Sequence, residues 1–198
     1  KSPKIFRGKN PLQYLFNMRH DIFPTPVWHI EGSPLELVDE LYKKALELKQ
    51  FHPVEDNGFE RSNQGGYQTT QINWEEFHPQ GIEYINKIIS ESIETPKGMY
   101  WKIVGWWYNI NPKGSWNAAH NHSGTDLALV WYLTDSYSTL HFLNPHSRIE
   151  CIGQSSDVNL HPKKGDIIIF PGDIVHYVMP NPKETDRVCI SMNLQLLL

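Results

Sequence analysis

The chain of 198 residues carries 18 Lys+Arg against 22 Asp+Glu, a formal net charge of -4, which excludes a globally basic nucleic-acid binder and gives no pull toward anionic membrane. The length suits one domain that buries its own core, so a single domain over 1–198 is expected, with 1–98 as lead-in and supporting helices and 99–198 as core. Two cysteines, Cys151 and Cys189, make no disulfide framework, and no stretch has the pattern of a leader or approaches the ~20 apolar residues of a membrane span; a soluble protein in a reducing, cytoplasmic setting, without a membrane partner, is the expectation.

Pro3, Pro11, Pro24 and Pro26 among polar and aromatic residues predict an extended lead-in up to residue 30, and the basic cluster Lys1, Lys4, Arg7 and Lys9 reads as a solvated terminus. Ser33-Pro34-Leu35-Glu36 has the parts of a helix start: a hydroxyl cap, proline at the first helical position and a glutamate three after the cap. In the helix that follows, Leu35, Val38, Leu41, Tyr42, Ala45 and Leu46 recur at three and four spacing and predict one apolar face. Residues 52–73 lose this periodicity and hold Asn57-Gly58 and Gly65-Gly66, which predicts a loop with at most a short strand. Ile82, Ile85, Ile88, Ile89 and Ile93 indicate a second helix that stops before Pro96.

From Met99 onward short β-branched and aromatic runs alternate with Gly, Pro, Asn and Asp: Trp101 to Ile110, Leu127 to Leu133, Leu140 to Leu143, Asp166 to Phe170, Ile174 to Met179 and Arg187 to Leu194. About six to eight strands at this spacing mean a sandwich or barrel, mainly β, with the N-terminal helices packed outside it.

Position singles out three of the 10 histidines. His120-Asn121-His122 precedes the apolar strand at Leu127, and in extended chain residues two apart project to one face, so two imidazoles can converge on one ion. His176 follows Ile167 to Asp173 and opens the next strand, which a barrel can bring beside the first. Two ligands from one short motif and a third from a distant strand is the layout of the facial site of non-haem Fe(II) oxygenases, which keeps positions open for co-substrate and O2. The second ligand of such sites is usually Asp or Glu; here it is His122, and Asp126 is the nearest carboxylate that could take its place. The alternative is that His120 and His122 are ordinary loop residues.

Arg187 bears on that choice. It lies 11 residues after His176, beyond a Pro180-to-Glu184 turn, and a hairpin centred near residue 183 would set it opposite Met179, about 10 Å along the strand from His176. A five-carbon diacid chelating iron through its keto-acid end needs a cation at about that remove, and the Arg fork suits a carboxylate better than Lys does. Alternation in the last strand puts Val188, Ile190, Met192 and Leu194 on one face and Arg187, Cys189, Ser191 and Asn193 on the other, which is the face free to line a pocket.

These residues resemble a known group. Gly165 to Pro171 followed by His176, Pro180, Arg187 and Ile190-Ser191-Met192-Asn193 is similar to the C-terminal signature of a family of 2-oxoglutarate/Fe(II)-dependent oxygenases of marine bacteria and phages. Asn117 to His122 with Trp131-Tyr132-Leu133 matches its His-x-His segment and strand, and Phe23 to Val27 and Arg61 to Tyr67 match its N-terminal phrases. The chain departs from it at Ala128-Leu129 and at Leu143 to Arg148, both flanking the mouth of the site.

The resemblance implies a double-stranded β-helix (jelly-roll, cupin-like) core, Fe(II) at His120, His122 and His176, and 2-oxoglutarate held by Arg187. More distant prolyl-hydroxylase-like relatives imply Tyr132 as a co-substrate contact, with Asn109, Asn117, Ser191 and Asn193 as further candidates. The expected reaction is hydroxylation of an unidentified substrate with O2, releasing succinate and CO2, in a cytoplasm that is the host's if the gene is a phage's. Two other readings stay open. A three-histidine cupin-type dioxygenase without 2-oxoglutarate has no use for Arg187, and a non-catalytic jelly-roll binding module displaying Trp74, Trp101, Trp106, Trp107, Trp116 or Trp131 has no use for the histidines.

Overall fold

The computed structural model describes residues 25–51, 62–69, 78–145 and 156–198. The basic cluster of the lead-in, Phe23-Pro24, Arg61, Trp74, His146 to Arg148 and Cys151 lie outside them.

Eleven strands and two helices are formed by these residues. They are β1 (Trp28–Ile30), α1 (Leu35–Phe51), β2 (Asn63–Gln64), β3 (Tyr67–Gln68), α2 (Pro79–Ser92), β4 (Tyr100–Asn111), β5 (Trp116–His120), β6 (Leu127–Tyr132), β7 (Leu140–Leu143), β8 (Asp157–Leu160), β9 (Ile167–Pro171), β10 (His176–Val178) and β11 (Arg187–Leu197). One sheet has the order β1-β9-β6-β11-β4-β3 and the other β2-β5-β10-β7-β8, every pairing antiparallel. The chain passes repeatedly between the two sheets, the arrangement of the expected double-stranded β-helix.

The six-stranded sheet is buried on both faces, which explains why Ile167-Ile168-Ile169-Phe170 is a continuous apolar run. Its outer face, with Trp106, Tyr108, Ile110, Leu129, Trp131, Ile169, Val188, Ile190 and Met192, packs on the helices through Val38, Leu41, Ala45, Leu48, Ile85, Ile88 and Ile89. Tyr84 meets the fully buried Trp131 with ring centroids 5.3 Å apart. The inner face, with Ala128, Tyr132, Ile168, Phe170 and Cys189, packs on Leu140, Phe142 and Val178 of the other sheet. Alternation in β11 therefore runs as the sequence predicts: even residues toward the helices, odd residues into the barrel.

Three expectations need correction. The apolar face of α1 is Val38, Leu41, Ala45 and Leu48, whereas Leu35 and Leu46, to either side of that stripe, are exposed. The Ser33 hydroxyl does not cap that helix; it donates to the Gly165 carbonyl at 2.5 Å, and Pro34 supplies the carbonyl for the first helical bond, from Val38 N–H. The third correction concerns topology. β10 and β11 form no hairpin: β10 pairs with β5 and β7, and β11 with β4 and β6 in the opposite sheet. Arg187 thus lies opposite Asn111 rather than Met179. Lys183 to Asp186 cross between sheets, and the Asn181 side chain holds the crossing by donating to the carbonyls of Asn111 and Thr185.

Candidate metal and co-substrate site

His120 ends β5 and His176 begins β10, and the two are register partners across that antiparallel pair. His122 follows in the turn after β5, held where its N–H donates to the Gly172 carbonyl at 2.7 Å. The three ring centroids are 4.3 Å (His120–His176), 5.1 Å (His122–His176) and 5.2 Å (His120–His122) apart. One nitrogen from each ring lies within 4.8 Å of the others, a spacing that one ion can bridge.

The backbone sets the tautomers of two rings. Nδ1 of His120 is 2.7 Å from the Ala118 carbonyl and Nδ1 of His176 is 3.0 Å from the Ile174 carbonyl. A carbonyl only accepts, so both Nδ1 atoms carry the proton and both Nε2 lone pairs are left for a metal. Burial lowers the pKa of all three imidazoles. His176 is pushed down to about 3, by burial first and then by His120, and His122 down to about 4 by burial and His120, with the Asn193 side chain opposing. His120 is lowered by burial against its bond to Ala118. Neutral imidazoles are the form that ligates.

The walls are aromatic. Phe170 and Phe142 meet the His176 ring at 4.7 and 6.3 Å. Trp107 stacks on His122 at 5.8 Å between centroids and 28° between planes. His122 also lies nearly parallel to His176 (12°), so the second ring of the His-x-His segment is fixed by neighbouring aromatic rings. Among seven tryptophans, alternation in β4 was the signal that separates inward Trp107 from Trp106, which packs against the helices.

Asp126 is not part of the cluster. Its carboxylate is exposed and accepts from the Leu196 N–H at 2.8 Å, fastening the turn before β6 to β11.

Arg187 is 2% exposed and reaches across the barrel to the other sheet, where Nη2 donates to Asn117 Oδ1 at 2.6 Å. Asn117 pairs with Val178, two residues from His176, so the guanidinium is anchored about 7 Å along the strand from the histidines. Nη1 is buried and has no hydrogen-bond partner among the described residues. A buried cation with an unmatched donor is costly by itself and suits an anion that arrives later. Asn109 donates to Ser191 Oγ at 3.0 Å on the same inner face. Tyr132, beside Cys189 and buried, has its phenol pKa raised, first by burial. Asn193 lies beside His122.

Residues 105–193 match a family described as "Putative 2OG-Fe(II) oxygenase". This segment is similar to the 2OG-Fe(II) oxygenases. Solved structures similar to the protein include a prolyl-4-hydroxylase from Pseudomonas putida, at 13% identity and TM-score 0.60, covering 86% of this chain and 92% of that one. The alpha-ketoglutarate-dependent epimerase SnoN from nogalamycin biosynthesis aligns at 13% identity and TM-score 0.65, covering 86% and 78%. HygX from Streptomyces hygroscopicus, solved with nickel and 2-oxoglutarate bound, aligns at 11% and TM-score 0.60, covering 92% and 85%. At these identities the likeness is one of fold, the double-stranded β-helix. No curated protein matches the sequence. The matched family is described by Fe(II) and 2-oxoglutarate, and His120, His122 and His176 form a group that could hold a metal ion; no helix among the described residues is long and apolar enough to cross a membrane.

Proposed function

We propose that the protein hydroxylates a C–H bond of its substrate, with Fe(II) held by His120, His122 and His176 and the far carboxylate of 2-oxoglutarate held by Arg187. The observation that carries this reading is the buried Arg187 guanidinium, with Nη1 unpartnered among the described residues and Nη2 fixed to Asn117. A cupin-type site without a dicarboxylate leaves that cation with no task.

Fe(II), when bound, supplies activation of O2 at the expense of 2-oxoglutarate: one oxygen atom enters succinate as CO2 leaves, and the other converts C–H to C–OH. The chain's own residues do the rest. Ala118 and Ile174 carbonyls hold two imidazoles with Nε2 available. Phe142, Phe170 and Trp107 exclude water and fix the rings, and Arg187 orients the diacid along the barrel. Tyr132, Asn109, Ser191 and Asn193 line the same inner face and are assigned as flanking contacts of the co-substrate. With histidine in the carboxylate position the ligand set is neutral, so the metal is held less tightly than by a set carrying a negative charge.

Purified protein supplied with Fe(II), 2-oxoglutarate and O2 is expected to release succinate slowly without added substrate, in a reaction needing all three. Oxygen consumption with no succinate, or succinate formed equally without iron, would contradict the assignment.

A further inference from the structure

The Ser62 to Tyr67 phrase, where the sequence predicts a loop with at most a short strand, turns a corner from one sheet to the other: β2 pairs with β5 and β3 with β4. It therefore closes the barrel beside Arg187. Within the sheets, Asn63 is the register partner of Asn117 and Asn111 that of Arg187. Across the barrel, Arg187 Nη2 donates to Asn117 Oδ1 and Asn111 Nδ2 donates to Asn63 Oδ1, each at 2.6 Å. The four residues are the corners of a rectangle, tied along two sides by strand pairing and along the other two by side chains.

Asn63 Nδ2 donates to the Tyr67 carbonyl at 3.2 Å and to Asn109 Oδ1 at 3.4 Å, and Asn109 passes the chain on to Ser191. The turn between β2 and β3 is built for this insertion. Gly65 takes φ +72, which the turn needs, whereas Gly66 is required for closeness: a Cβ there would lie 2.5 Å from Asn63 Oδ1 and 2.6 Å from Asn111 Nδ2. Two buried atoms of the rectangle have no partner among the described residues, Arg187 Nη1 and Asn111 Oδ1, one on each of two facing positions of β11 and β4.

We infer that this corner is a wall of the co-substrate site, with Asn63 and Gly66 as positioning residues that hold the Arg187 end of the barrel at the length of a five-carbon diacid. The inference rests on Arg187 being the 2-oxoglutarate cation. Without Asn63, Asn111 and Asn109 lose their tie to β2, the partner strand of Asn117, and the anchor of the guanidinium loosens.

The test is anaerobic binding of 2-oxoglutarate and of the longer 2-oxoadipate to Fe(II)-loaded protein, for wild type, Asn63→Ala, Asn63→Asp, Gly66→Ala and Arg187→Ala. Asn63→Ala and Gly66→Ala are expected to weaken 2-oxoglutarate roughly tenfold, as loss of a buried hydrogen-bonded tie does, and to narrow its preference over 2-oxoadipate. Fe(II) affinity should stay within about twofold, a change smaller than a ligand or its supporting shell causes. Asn63→Asp, which keeps the acceptor for Asn111, should recover part of the loss, and it carries the test if the alanine variant does not fold. A merely structural role lowers the melting temperature without moving the ratio of the two diacids. An unchanged ratio and affinity in the Asn63 and Gly66 variants, with Arg187→Ala weakened, overturns this inference alone. Unchanged binding in Arg187→Ala overturns the assignment of Arg187 and this inference with it.

Discussion

His176→Ala is expected to lower Fe(II) affinity by more than about 100-fold, beyond the range that follows loss of a supporting residue around a metal. The ring is 3% exposed, its Nδ1 is bound to the Ile174 carbonyl, and its other nitrogen is one of three that converge among the described residues. Two histidines on one short segment cannot complete a facial set. Because removing a buried ring also opens a cavity, His176→Phe is the companion variant: it keeps an aromatic ring against Phe142 and Phe170 and removes the ligand. Both should lose the metal in equilibrium dialysis, and the Phe variant should retain the fold by circular dichroism. The sign of the pH effect follows from the lowered pKa. In metal-free protein the folded state keeps His176 neutral down to about pH 3, whereas the unfolded chain takes up its proton near 6.5. The contribution of this group to stability is therefore present above pH 6.5 and lost as pH falls toward 3, and His176→Phe should be the less acid-sensitive protein. Full iron retention by either variant would remove His176 from the ligand set.

Arg187→Ala is expected to weaken 2-oxoglutarate by at least about 30-fold, the lower end of what truncating one partner of a buried charge pair costs, with Fe(II) affinity unchanged. Arg187→Lys should fall between, since the ammonium keeps the charge without the fork that reaches Asn117 and a carboxylate together. Stability should move the other way. In the absence of the diacid the guanidinium is buried with one hydrogen-bond partner among the described residues, Asn117, so Arg187→Met, of similar length and apolar, should leave the melting temperature unchanged or raise it. A site that is destabilising until its ligand arrives separates a binding cation from a structural one. Calorimetry with 2-oxoglutarate gives the affinity, and a variant that binds the diacid as well as wild type would sink the assignment.

Much of this site was legible in the sequence because it depends on period-two alternation, a local property. His120 and His122 two apart, and Arg187 on the polar side of β11, follow from which face each residue takes. The partner of Arg187 was not legible. A hairpin from His176 to Arg187 fits the Pro180-to-Glu184 turn just as well, and only packing of the two sheets decides that the chain crosses instead. Arg187 was thus placed near the histidines by a pairing that does not exist, since the opposite sheet delivers the guanidinium to a similar place through Asn117. Strand β8, and the division of the short strand expected within 52–73 into β2 and β3, were not legible for a related reason. Each is two to four residues long with mostly polar or exposed side chains, so its strand state is imposed by neighbours rather than by its own propensity. The Asn63 insertion, which joins distant segments through side chains, leaves no periodic trace.

The measurement that bears most directly on the central claim is an anaerobic titration of the purified protein, first with Fe(II) and then with 2-oxoglutarate, followed in the visible region. The account predicts one iron per chain and, on adding the diacid, a saturable metal-to-ligand charge-transfer band from the chelated keto acid. Iron binding with no such band at saturating 2-oxoglutarate would contradict it and return the three histidines to a co-substrate-free dioxygenase.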